Sequence, residues 1–206
     1  MNEDRLKKIT HQLLGEYQER RLPKIIKRLA EFPNISNKIK VSLGMRRAGK
    51  TFFLFQKIQN LIKKKISKER IFYINFEDER LLPLSAQELG FIIDYYYELY
   101  PDHINKKCYF FFDEIQNVHD WSQVIRRIQD TKNVELFLTG SSANLLSKEI
   151  ASRLRGRSVS TEIFPFSLSE YCEYLGKKLP NKVMGPKKSS EYKNCLLYTS
   201  DAADES

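Results

Sequence analysis

The stretch from Ile39 to Ile62, IKVSLGMRRAGKTFFLFQKIQNLI, constrains this chain more than any other, because it reads as a strand, a glycine loop and a helix in immediate succession. Ile39, Val41 and Leu43 alternate as on a strand, while Leu54, Phe55, Ile58, Leu61 and Ile62 recur at helical spacing. Between them, Gly44 to Thr51 fits G-x-x-x-x-G-K-S/T at every fixed position, the pattern of a phosphate-binding loop. Its glycines let the backbone curl with N–H groups pointing inward around the α- and β-phosphates of a nucleotide, and the helix N-terminus beyond adds partial positive charge. Lys50 is spaced to reach the β- and γ-phosphates, and the Thr51 hydroxyl to ligate Mg²⁺. Gly44, Met45, Arg46, Arg47, Ala48, Gly49, Lys50, Thr51 and Phe52 are therefore the candidate nucleotide-binding residues.

Downstream, Cys108-Tyr-Phe-Phe-Phe112 is a continuous apolar run suited to a strand buried on both faces, and Asp113-Glu114 follows at once. A carboxylate at the end of a buried strand is costly unless something there uses its charge. A Mg²⁺ held between Thr51 and Asp113 supplies that use, and Glu114 is placed to orient or deprotonate a water for attack on the γ-phosphate. Val134 to Leu138 reads as another strand, ending in Thr139-Gly-Ser-Ser142. A polar side chain there can bridge the attacking water and the γ-phosphate; Ser141 or Ser142 also suits the cap of a helix carrying Leu145, Leu146 and Ile150. Arg153, Arg155 and Arg157 precede a strand from Ser158 to Phe164. One of them can neutralise charge developing on the γ-phosphate, in its own subunit or a neighbour's, and the three equally suit a solvated face.

The rest of the chain reads as scaffold. Leu6, Ile9, Leu13, Leu14 and Tyr17 predict an N-terminal helix, and Leu22 to Leu29 a second short one opened by Pro23. Ile71 to Phe76 predicts a strand ending in acidic residues. Capping boxes at Ser85/Glu88 and Ser167/Glu170 open two helices, and Trp121, Val124, Ile125 and Ile128 mark another. The predicted units are a leader over 1–35, an ATPase domain over 36–176 and a polar linker over 177–194.

At 206 residues the chain suffices for one α/β domain, and no apolar run approaches the ~20 residues that span a bilayer. The charged amino terminus lacks the apolar centre of a signal peptide, so the expected location is cytoplasmic and no membrane partner is expected. Cys108, Cys172 and Cys195 lack C-x-x-C spacing, which argues against a disulfide framework or a zinc site. The net charge of +9 comes from lysines and arginines scattered along the chain, without one dense tract.

Five segments carry a family resemblance: SLGMRRAGKT, YINFEDERL, FFFDEIQNVHDW, LFLTGSSANLLSKEIASRLRGR and IFPFSLSEY. Together they resemble the bacterial and archaeal AAA-type ATP-binding proteins whose ATPase domain precedes a C-terminal domain of unknown function. The resemblance implies a mostly parallel P-loop NTPase fold, a three-layer α/β/α sandwich of strand order 5-1-4-3-2 with a catalytic glutamate. It implies ATP and Mg²⁺ as ligands, puts Thr139 or Ser141 at the sensor position, and places the family's Gly-Arg pair on Gly156 and Arg157. The catalytic set is then Lys50, Glu114, Thr139, Ser141 and Arg157, with Thr51 and Asp113 at the metal.

A Mg²⁺-dependent ATPase whose nucleotide state switches a conformation or partner is the expected function. No N-K-x-D segment for guanine appears, and the adjacent Asp113-Glu114 pair favours water over a substrate hydroxyl as nucleophile. The alternative is an ATP-regulated DNA-binding protein of initiator-like type, and the third reading is a degenerate nucleotide-binding scaffold. A protein partner, a second copy of the chain and a nucleic acid all remain as partners. The last residues, 195–206, resemble the translation of a transposon-end sequencing adaptor and are set aside from fold reasoning, with disorder expected there and the family's C-terminal domain expected to be missing.

Overall fold

Five long strands run parallel in the computed structural model of this chain, which describes residues 2–141 and 152–177. They are β1 (Ile39–Gly44), β2 (Ile71–Asn75), β4 (Cys108–Asp113), β6 (Val134–Ser141) and β7 (Ser158–Glu162), in the spatial order β2-β4-β6-β1-β7. Counted among the long strands alone, this is the order 5-1-4-3-2. Two further short strands, β3 (Leu84–Ser85) and β5 (Val118–His119), pair in parallel as a separate two-stranded sheet that the sequence pattern did not announce. Each is two residues long, too short for alternation to be read.

The period of two in the central strands divides the core. Phe110 and Phe112 of β4 join Phe72, Ile74, Leu136 and Leu138 on the face covered by α1 (Glu3–Glu19), α3 (Ala86–Leu99) and α4 (Trp121–Thr131). Phe111, between them in sequence, turns to the opposite face, where its ring stacks on Phe137 at 4.5 Å beneath α2 (Lys50–Lys63). This is why the Cys108–Phe112 run is apolar without alternation: both of its faces are covered. The helices begin where their caps predict, with complete capping boxes at Ser85/Glu88 on α3 and Ser167/Glu170 on α5 (Leu168–Tyr174). Cys108 and Cys172 are free and buried.

The second leader helix expected over 22–29 does not form; residues 20–28 run without regular secondary structure as a strap over α2. The strap's main chain is satisfied by side chains instead of by its own turns. Gln56 accepts from the Arg28 N–H at 2.7 Å and Gln59 donates to the Pro23 carbonyl at 3.0 Å, while Leu22 and Ile25 pack against the α2 face of the core. Tertiary partners thus outbid local helical bonding. Ser142, the helix expected around Leu145 to Ile150, most of the linker and the 195–206 tail lie outside the described residues.

Candidate nucleotide site

The carboxyl ends of β4, β6 and β1 lie side by side at the middle of the sheet's carboxyl edge, the position where open α/β sheets bind ligands. From the end of β1 the loop arches through Met45, Arg46 and Arg47, all exposed, and returns through buried Ala48 to α2. Both glycines are required by geometry. Gly49 is the N-cap of α2 at φ 90°, a backbone state that side chains resist. At Gly44 a Cβ would stand 2.3 Å from the Ile163 carbonyl oxygen, so the chain leaving β7 can approach only a glycine there. Phe52, in the first turn of α2, is half exposed.

Lys50 is buried at the loop's base, where its ammonium donates to the Gly44 and Met45 carbonyls at 3.2 and 3.3 Å. It also pairs with Glu114 at 3.5 Å. Asp113 is fully buried and accepts hydrogen bonds from the Thr51, Thr139 and Tyr73 hydroxyls, the last at 3.1 Å. Burial pushes the Asp113 carboxyl above the ordinary carboxylate range, against the pull of those three hydroxyls. Thr139 has a second contact: its Oγ accepts the Glu114 N–H at 2.8 Å. One hydroxyl therefore locks the two adjacent acids together. Glu114 itself sits in the left-handed region at φ 52°, a conformation costing about 1 kcal/mol in a non-glycine residue, and the Gln116 amide holds its carboxylate.

The structure thus gathers Gly44, Lys50, Thr51, Asp113, Glu114 and Thr139 at one place. Ser141 ends β6 opposite Gly44, and of this residue the main chain is described. Arg157 is not brought there. Its carbonyl accepts from the Ile39 N–H at the opposite end of β1, its guanidinium pairs with Asp130, and the length of β1 separates it from Gly44 by about 17 Å. An action on the γ-phosphate of its own subunit is therefore out of reach in this arrangement, because parallel pairing puts a residue preceding β7 at the amino edge of the sheet.

Three residues of the site's surroundings escaped the sequence. Tyr73 was hidden in an apolar strand and Gln116 in a short turn, and neither has a spacing signal. Arg28, in the strap, is 4% exposed and donates to the Ala48 carbonyl in the loop, to the Phe164 carbonyl and to Glu170 of α5. Nothing in the leader's sequence marks it.

The donor set fits a hard cation shared with phosphate: one hydroxyl and one carboxylate, Thr51 and Asp113, already in contact. Among the described residues, no group of three or more His, Cys, Asp or Glu side chains is placed to hold a metal ion.

Fold and site define a P-loop NTPase of AAA type. The chain belongs to the AAA domain family, whose sequence profile matches residues 36–172. It is 44% identical over 151 residues to the uncharacterized protein MJ1544 of Methanocaldococcus jannaschii, which covers 73% of this chain and 32% of that one. An uncharacterized protein of Haemophilus influenzae is 39% identical over 134 residues, covering 65% of this chain and again 32% of the relative. The chain therefore spans about a third of the length of these relatives. Among solved structures, the Aeropyrum pernix ORC1 protein in complex with DNA aligns with a TM-score of 0.50 at 11% identity, covering 98% of this chain and 55% of that one. That likeness is one of fold. No helix among the described residues is long and apolar enough to cross a membrane.

Proposed function

We propose that this domain binds ATP with Mg²⁺ and hydrolyses it, and that the nucleotide state switches a conformation or a partner of the longer protein type it resembles. The observation that supports this reading is the single hydrogen-bonded constellation of Lys50, Thr51, Asp113, Thr139 and Glu114 at the mouth of the loop. Loop N–H groups from Gly44 to Phe52 would bind phosphate oxygens, and Lys50 would exchange its carbonyl partners for the β- and γ-phosphates. Thr51 and Asp113 would hold the cation, which supplies charge neutralisation at the phosphates. Glu114, half-buried and released from Lys50, would orient water and accept its proton; Thr139, bonded to both acids, is a positioning residue, and Ser141 is the further candidate at the sensor edge.

The test is calorimetric titration of ATP with Mg²⁺ and again with excess chelator, followed by a phosphate-release assay. Saturable binding that weakens at least tenfold without Mg²⁺, together with release of phosphate, is expected. Binding of equal strength with and without the cation would remove Asp113 and Thr51 from the metal.

We further propose that Arg157, paired with Asp130 and far from its own loop, acts on a neighbouring subunit's nucleotide. Mixing an inactive Arg157→Ala protein with an inactive Lys50→Ala protein is then expected to restore part of the hydrolysis, since half of the mixed interfaces carry one intact loop and one intact arginine. An Arg157→Ala protein with normal turnover would end this assignment.

A further inference from the structure

Eight of the 35 lysines and arginines that look scattered along the sequence are gathered by the fold at the amino edge of the sheet, the edge away from the phosphate loop. Two clefts of about 550 and 450 Å³ lie there. Both are lined by Asn34 and Glu135, so they form one furrow through the thickness of the domain, from the end of α4 on one face of the sheet to α2 on the other. Lys38, Lys40, Lys107, Lys132 and Arg157 line the first; Lys57, Lys63 and Lys64 line the second. The carboxylates along the same walls are Glu31, Asp130 and Glu135.

The imbalance is sharpest where the two clefts meet. Glu135 pairs with Lys40 at 3.0 Å and with Lys107 at 2.8 Å, and Lys40 is buried. Lys57 stands 5.3 Å above the Phe137 ring on the same strand, and its electrostatic neighbours are Glu135, Lys40, Lys64 and Lys107. One carboxylate thus faces four ammonium groups. Burial lowers the Lys57 ammonium below the ordinary lysine range, and the other lysines add to that fall against Glu135. An incoming anion would offset the repulsion among these lysines.

We infer that this furrow binds the phosphate backbone of a nucleic acid, with Lys57, Lys63, Lys64 and Lys107 as the phosphate contacts. An extended polyanion suits it better than a single ion, because the cations run from one helix layer to the other and no closed cage surrounds any one of them. The contacts are ammonium groups on flexible stems, which position a backbone without reading base sequence. The inference stands whether or not the domain hydrolyses ATP, since the two sites occupy opposite ends of β1.

Fluorescence anisotropy with a labelled 20-base-pair duplex and nuclease-treated protein tests it. Four phosphate contacts predict a salt slope of about −3.6, that is, affinity falling about 150-fold between 50 and 200 mM salt. The double variant Lys63→Gln/Lys64→Gln changes two exposed side chains at the end of α2 and is expected to keep its melting temperature and nucleotide binding. It should lower the slope by about 2. Lys57→Gln should lower it by about 1. No duplex binding at 50 mM salt, or binding with an unchanged slope in all these variants, overturns the inference. Displacement of the duplex by inorganic phosphate at equal phosphate concentration would also overturn it, by making this a small-anion site.

Discussion

Glu114→Gln is expected to bind ATP at least as tightly as the unaltered protein and to hydrolyse it about 10²- to 10⁴-fold more slowly. The amide keeps the shape of the side chain and removes the base. It also removes the negative partner that engages the Lys50 ammonium at 3.5 Å, so Lys50 becomes freer to meet the phosphates. Asp113 and Thr51 are untouched, and metal-dependent binding should survive. Lys50→Ala gives the opposite result: loss of measurable binding, because the deleted charge is the one buried cation inside the loop. Titration with a fluorescent ATP analogue and single-turnover phosphate release separate the two. Equal hydrolysis by Glu114→Gln and the unaltered protein would take the base role from Glu114.

The second large effect is structural and lies in the strap. Arg28→Ala is expected to cost about 3–5 kcal/mol, since it leaves Glu170 as a buried carboxylate without its cation. The same guanidinium joins the leader, the loop at Ala48, the chain after β7 at Phe164 and the capping box of α5, four segments far apart in sequence. Its loss should therefore also weaken nucleotide binding through the loop. Restoring balance with Arg28→Met/Glu170→Gln should recover part of the stability, because removing both charges removes the unpaired one. Urea denaturation measures both; a loss under 1 kcal/mol in Arg28→Ala would show that the pair does not hold these segments together.

The pH dependence follows from the same pair. Burial alone would raise the Glu170 carboxyl, but the Leu29 and Ser167 N–H groups, the Ser167 hydroxyl and Arg28 hold it below its usual 4.5. A lowered folded-state pKa contributes stability that is complete above about pH 4.5 and is lost as pH falls through the folded value. The unaltered protein should therefore lose more stability on acidification than the Arg28→Met/Glu170→Gln protein.

Much of the candidate site was legible because its parts are local. The loop from Gly44 to Thr51 and the strand running into Asp113-Glu114 each place their chemistry within a few residues, and hydrophobic period, glycines and acid pairs report such units directly. The order of the long strands came with the family resemblance, which five short segments in a fixed sequence carried.

What required the tertiary structure is what joins distant residues. Thr139 bonding to both Asp113 and the Glu114 N–H depends on β4 and β6 being neighbours. Arg28 shows the same limit in a charged residue whose buried partners lie 20, 136 and 142 positions away. The strap was misread as a helix because Leu22 to Leu29 has a helical pattern, while its main chain finds better partners in Gln56 and Gln59. Arg157 was placed by its position in a motif, yet parallel pairing with β1 carries it to the far edge of the sheet. The lysines were counted as scattered, and packing of β1, β4, β6 and α2 draws seven of them into one furrow. The sequence by itself determined each strand–loop–helix unit, because those depend on bonds and contacts spanning a few residues. The tertiary structure alone decided which units meet, because long-range pairing is set by the burial of whole faces and leaves no periodic mark on any single segment.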